Sequence, residues 1–167
     1  MKAIIAVTEK GGMGYRGKLP QWNIPGDLLR FKQLTENRVI VMGSNTFFSL
    51  PESKRPLPKR TNIVITRNPE DAKFDKYRDC PHVHRTTLEQ FLVNYKSIFN
   101  DIIVIGGPQL LTMLYPYIYQ IDLTIVKGQY ECDVFFEQFH KVAEWTIIHY
   151  KEYPDCIRVI FTRTIFY

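Results

Sequence analysis

Ile102-Ile103-Val104-Ile105-Gly106-Gly107-Pro108-Gln109-Leu110-Leu111 is the stretch on which the fold turns. Its four leading β-branched residues read as a short strand buried on both faces, the pattern of a parallel sheet. Paired glycines then let the backbone approach a ligand closely and take strained conformations. Pro108 suits the first turn of a helix, where its missing N–H costs nothing, and Leu110 to Leu114 continue that helix. Strand, glycine turn and helix N-terminus in this order form one unit of an α/β sheet, with free N–H groups turned toward an anion.

The same grammar extends outward in both directions. Ala3 to Val7 reads as another strand buried on both faces, and Gly11 to Pro20 as a loop with glycine at 11, 12, 14 and 17. Pro25 to Glu36 has helical spacing, with Leu28, Leu29, Phe31 and Leu34 on or near one face. Val39 to Met42 predicts a strand, Ser44 to Leu50 a short helix, Asn62 to Thr66 a strand, Val83 a short strand and Thr87 to Tyr95 a helix. Asp122 to Lys127, Trp145 to His149 and Ile157 to Ile165 read as strands, and no helix is predicted after Leu114. A βαβ beginning and a hairpin ending predict a mixed, mostly parallel sheet with helices on its faces. Repeats, low-complexity tracts and linker-like stretches are absent, so residues 1–167 read as a single domain.

Composition narrows the classes. An apolar share of 45% with 23% charged residues is globular, not disordered. No apolar run approaches a membrane span and no secretory signal opens the chain. Cys80, Cys132 and Cys156 are widely spaced, form no CxxC pair and lack zinc-type histidine spacing, which points to a reducing cytoplasm and no metal. His82, His84, His140 and His149 likewise lack ligand spacing and read as non-catalytic. The net charge of +5 favours anionic ligands. Its basic residues are scattered, and even the densest run, Ser53 to Arg60, is a proline-rich loop; that speaks against a dedicated nucleic-acid face.

Several motifs carry chemistry. In Leu19-Pro20-Gln21-Trp22-Asn23-Ile24-Pro25-Gly26-Asp27, Pro25 fits the first helical position and sets Asp27 in the first turn, near the positive end of the helix dipole. An acid there is ordinarily a cap. If it points instead into a cleft beside Phe31 and Trp22, it can accept paired hydrogen bonds from an amidine-like edge such as that of a 2-amino-4-oxopteridine. Gly43-Ser44-Asn45-Thr46 ends a strand and opens a helix, a ready anion site. Arg60 closes Arg55-Pro56-Leu57-Pro58-Lys59-Arg60, and its planar fork can grip a carboxylate bidentately. Thr66-Arg67 ends the following strand, and Arg85 adds a second cation.

Taken in this order, from Ile4 to about Phe136, the motifs resemble the dihydrofolate reductase family. Departures are the inserted Gln21, Ser44 where many members carry Arg, Lys59 for Gly, and Leu111 where the family usually has Tyr. Some phage-encoded reductases are similar in the form Gly-Gly-Pro-x-Leu-Leu. The resemblance implies an eight-stranded mixed sheet with helices on both faces and a C-terminal antiparallel hairpin. It implies reduction of 7,8-dihydrofolate by NADPH, with hydride passing to C6 and a proton to N5, in support of one-carbon metabolism for thymidylate and purine synthesis. Asp27, Trp22 and Thr124 are the implied catalytic set. Ile4, Ala6, Leu28, Phe31, Lys32, Leu50, Leu57, Arg60 and Ile105 join Asp27 and Thr124 around the substrate. For the cofactor, Ala6, Met13, Gly14, Lys18 and Leu19 come from the first strand and loop. Gly43, Ser44, Asn45 and Thr46 follow, with Thr66, Arg67 and Arg85 at the 2′-phosphate, and then Ile105, Gly106, Gly107, Pro108, Gln109, Leu110 and Leu111. Asp133 fits a loop aspartate of the family. Asp27 is expected to anchor and polarise the ring, with water delivering the proton.

Two other readings stand beside this one. Gly-Gly-Pro is also found in reductases of a ribosylated pyrimidine in riboflavin synthesis, against which Asp27 and the Arg-Pro-Leu-Pro-x-Arg run argue. The other is a reductase-like module retained for structure or binding, suggested by the departures and a pI of ≈ 9.1. The expected partner is the small-molecule substrate, without membrane or nucleic acid; a monomer is expected, with a homodimer as the alternative.

Overall fold

The computed structural model describes residues 1–166. Its elements in chain order are β1 (Lys2–Thr8), β2 (Gly12–Gly14), α1 (Asp27–Thr35), β3 (Val39–Gly43), α2 (Ser44–Ser49), β4 (Thr61–Ile65), β5 (Val83–Thr86), α3 (Leu88–Asn94), β6 (Ile102–Gly106), α4 (Pro108–Leu114), β7 (Gln120–Val126), β8 (Val134–Phe135), α5 (Phe139–Val142), β9 (Thr146–Glu152) and β10 (Cys156–Thr162). Eight strands form one sheet in the order β5-β4-β3-β6-β1-β7-β10-β9, and β2 pairs with β8 in a small ribbon. From β5 to β7 every pairing is parallel; β10 then runs antiparallel to both β7 and β9. The mixed, mostly parallel sheet and its closing hairpin are as expected from the sequence.

Alternation along the strands divides the core between the two sheet faces. On β3, Ile40 and Met42 pack with Phe47, Val64, Phe74 and Tyr77, whereas Val41 packs with Ala3, Ile5, Val104, Leu111 and Leu123. The parallel strands carry their C-terminal ends to one edge, where open α/β sheets bind ligands.

Several expectations need correction. β1 is not buried on both faces: Ala3, Ile5 and Val7 are buried, but Ile4 and Ala6 are only half-buried. α1 starts at Asp27, not Pro25, because Gly26 takes a left-handed φ of 76° as the N-cap, a conformation glycine reaches without strain. Leu28 and Leu29 are exposed, Leu28 at 84%; the helix instead buries Thr35 and half-buries Asp27, Arg30, Phe31 and Leu34. The glycine loop contains β2, stabilised by pairing with a strand more than a hundred residues away. The region after Leu114 does contain a helix, the single turn of α5, which has too little length to show a period.

Candidate functional site

The substrate side of the site grows from the register of β1, β7 and β10. Ala6 lies opposite Thr124, which lies opposite Arg158, and Ile4 lies opposite Asp122. Thr124 and Asp122 are buried polar residues on one face of β7. Arg30 of α1 forms an ion pair with Asp122 and ties the helix to that face. Asp27, one turn earlier, is half-buried. Burial pushes its carboxyl above the ordinary carboxylate range; Arg158 and Arg30 pull it back in part, and Asp122 adds to the rise.

At the other end of α1, Arg60 is only 7% exposed. Its Nε donates to Thr35 Oγ1 at 2.8 Å and its Nη1 to the Pro58 carbonyl at 2.8 Å, and the guanidinium lies 5.8 Å from the Phe31 ring centre. The loop is clamped by buried Asn62, whose Oδ1 accepts from Leu57 N at 3.0 Å and whose Nδ2 donates to the carbonyls of Leu57 and Arg60. Leu50, Leu57 and Ile105 are half-buried against the second core, beside Ile4, and Lys32 is exposed. Trp22 meets Tyr130 edge-on at 5.7 Å and lies in one apolar cluster with Ile24, Val126, Cys156 and Tyr153, at the β7–β10 end of the sheet.

The second half of the site lies at the ends of β6, β3 and β4, two to four strands over from β7. A Cβ on Gly107 would stand 3.0 Å from Thr46 Oγ1, and one on Gly43 would stand 3.9 Å from Gly107 N. A side chain at Gly107 would thus crowd the Thr46 hydroxyl, while one at Gly43 would make ordinary contact, and the two glycines with Thr46 form a narrow cradle. Ser44 is half-buried and Asn45 exposed at the start of α2; Pro108 is the first residue of α4 and Gln109 is exposed. Leu110 and Leu111 are buried in the first core, so they wall the turn with no open side-chain surface. Thr66 is buried at the end of β4, Arg67 is exposed, and Arg85 Nη1 donates to the Pro69 carbonyl at 2.9 Å. In the loop, Met13 is buried, Gly14 half-buried, and Lys18 and Leu19 exposed. Asp133 holds this loop: its Oδ2 accepts from Arg16 N at 2.9 Å and its N–H donates to the Gly14 carbonyl at 3.0 Å.

A half-buried acid on α1 and a glycine-walled cradle stand over one mixed sheet of an α/β protein. A family model described as dihydrofolate reductase matches residues 1–164. The dihydrofolate reductase of Haemophilus influenzae is 32% identical over 168 residues, 96% of each chain. That of Bacillus subtilis is 34% identical over 145 residues, covering 87% of this chain and 79% of its own. A solved structure, dihydrofolate reductase from Enterococcus faecalis complexed with NADP(H) and RAB-propyl, superposes with a TM-score of 0.76 at 28% identity, covering 97% of this chain and 95% of that one. The chain belongs to the dihydrofolate reductase family.

Four residues of the site were not singled out from sequence. Arg30 and Arg158 sit where strand and helix patterns call for nothing charged, and Asp122 was noted only as a neighbour of Thr124. A charge inside an otherwise apolar strand such as Ile121 to Val126 is the available signal, since an unpaired buried charge is costly. Asn62 had no signal, because its three partners are loop backbone groups.

Proposed function

We propose that the chain reduces 7,8-dihydrofolate to 5,6,7,8-tetrahydrofolate with NADPH. The observation carrying this reading is the half-buried Asp27 carboxyl at the head of α1, on the same sheet as the Gly43–Thr46–Gly107 cradle. The cradle fits a dinucleotide, since small residues leave N–H groups open to a pyrophosphate. Gly43 to Thr46 and Gly106 to Gln109 would hold that part of NADPH, with Ala6 and Ile105 under the nicotinamide and Thr66, Arg67 and Arg85 at the 2′-phosphate. Lys18 and Leu19 supply the exposed face of the loop, and Met13 with Gly14 its base. Bound NADPH supplies hydride to C6 of the pterin.

The chain's own residues orient and exclude. Asp27 accepts the amino-pyrimidine edge, Thr124 adjoins it from β7, and Ile4, Ala6, Leu28, Phe31, Leu50 and Leu57 bound the ring and the tail. Arg60, with Nε on Thr35 and Nη1 on the Pro58 carbonyl, would offer Nη2 and the second N–H of Nη1 to the tail carboxylate, and Lys32 lies on the helix turn before Thr35. Trp22 and the 13–22 loop limit access of bulk water to the proton-accepting N5. Residues 1–167 act as one domain: strands from residue 2 to residue 162 share one sheet. Three free cysteines suit a reducing cytoplasm, and among the described residues no helix is long and apolar enough to cross a membrane.

Loss of the near-ultraviolet NADPH absorbance on adding dihydrofolate to the purified protein is the test. Steady oxidation that saturates with dihydrofolate, and not with a ribosylated pyrimidine, is the expected result; no oxidation with dihydrofolate rejects the reading.

A further inference from the structure

Arg158 lies in β10 opposite Thr124, on the sheet face that also bears Asp122. Its guanidinium is 5.1 Å from the Tyr153 ring centre. Among the described residues its Nε is buried without a hydrogen-bond partner, and Arg158 forms no ion pair. A buried donor left unmatched is destabilising unless something else is gained. Arg158 and Pro25, two residues before Asp27, line one cavity of about 360 Å³.

The charges around Asp27 explain the gain. From its own helix comes Arg30, whose charge is already committed to Asp122 on β7. From β7 come Asp122 and the neutral Thr124. From β10 come Arg158 and Cys156, a buried thiol whose ionisation is disfavoured by burial and by Asp155. The loop before β10 brings Asp155, which lines the same cavity as Arg158 without pairing with it. Arg158 is thus a cation without an ion-pair partner near a carboxyl whose charged form burial disfavours.

We propose that Arg158 is a positioning residue for the reductase reaction, its free charge keeping the Asp27 carboxylate ionised and turned into the cleft to receive the substrate's amino-pyrimidine edge. This rests on the dihydrofolate reading above. Consistent with it, Arg158 is the largest of the influences that oppose the burial of Asp27.

Removing the charge in Arg158→Met should move the apparent ionisation in the pH profile of kcat/KM upward by about one unit, the scale of a nearby opposite charge. Arg158→Lys should restore it. In an Asp27→Asn background that ionisation should be absent with or without Arg158, which assigns it to Asp27; a purely structural role for the Tyr153 stack would instead lower activity without moving the ionisation in the Asp27 protein. Carboxyl-carbon NMR titration of Asp27 in the ligand-free protein reads the same shift without turnover, so a chain that proves inactive on dihydrofolate still tests the Arg158–Asp27 coupling. Should Arg158→Met fail to fold, Arg158→Gln carries the same measurement. An Asp27 titration identical in wild type and in a folded charge-removed variant overturns the proposal.

Discussion

The carboxyl of Asp27 binds its proton more tightly in the folded chain than in the unfolded one, because burial outweighs the two nearby guanidiniums. Between the unfolded and folded values the native state holds the extra proton, so stability falls as pH rises through that window and the penalty is complete above it. Asp27→Asn should therefore raise Tm at neutral pH by about 1–3 °C, with the gain vanishing in acid below the ordinary carboxylate range. Calorimetry at two pH values checks this. The same variant should lose at least ~10²-fold in turnover at neutral pH, the usual scale for acid–base assistance, and wild-type turnover would remove Asp27 from the mechanism. At the glycine-walled cradle, Gly107→Ala places a methyl 3.0 Å from Thr46 Oγ1, so the cradle must spread by a few tenths of an ångström. NADPH affinity, followed by fluorescence titration, should fall about 10-fold, or roughly 1.4 kcal/mol.

The joint between α1 and β7 is an ion pair that no local pattern announces, since Arg30 and Asp122 are 92 residues apart. Arg30→Leu leaves Asp122 buried without its partner and should cost about 2 kcal/mol in urea unfolding. Adding Asp122→Leu should recover most of that, because the stranded charge is gone; equal losses in single and double variants would deny the coupling. Most strands and the longer helices were legible in the sequence to within a residue or two, for their apolar periods are local; β5, β9 and β10 each end three residues from the expected place, and β9, exposed throughout, has no apolar period to mark it. α1 shows the limit. Its residues include Leu28, Leu29, Phe31 and Leu34, which suggest a packed apolar face, yet Leu28 and Leu29 are exposed and the helix buries Thr35 instead, a choice set by tertiary packing. β2 and β8 were invisible because each is too short to form without the other.

Across the whole molecule, protection should follow the sheet from its middle to its edge. β3, β6 and β1 lie inside the sheet, whereas β9 is an edge strand whose seven residues are all exposed. Amides of residues 146–152 should exchange with deuterium well before those of 39–43 and 102–106, measured by mass spectrometry on native protein; the reverse order would place the stable core elsewhere. The amino-acid order alone determined the α/β class, the glycine turn after Ile105, the acid in the first turn of α1 and the family these resemble, because each depends on neighbours a few residues away. Tertiary structure decided which face of β1 stays half-open, that Trp22 pairs with Tyr130, and that Arg30, Asp122 and Arg158 converge on Asp27. Those outcomes depend on register between strands far apart in the chain, and side-chain charges interact through space with partners that chain order does not name.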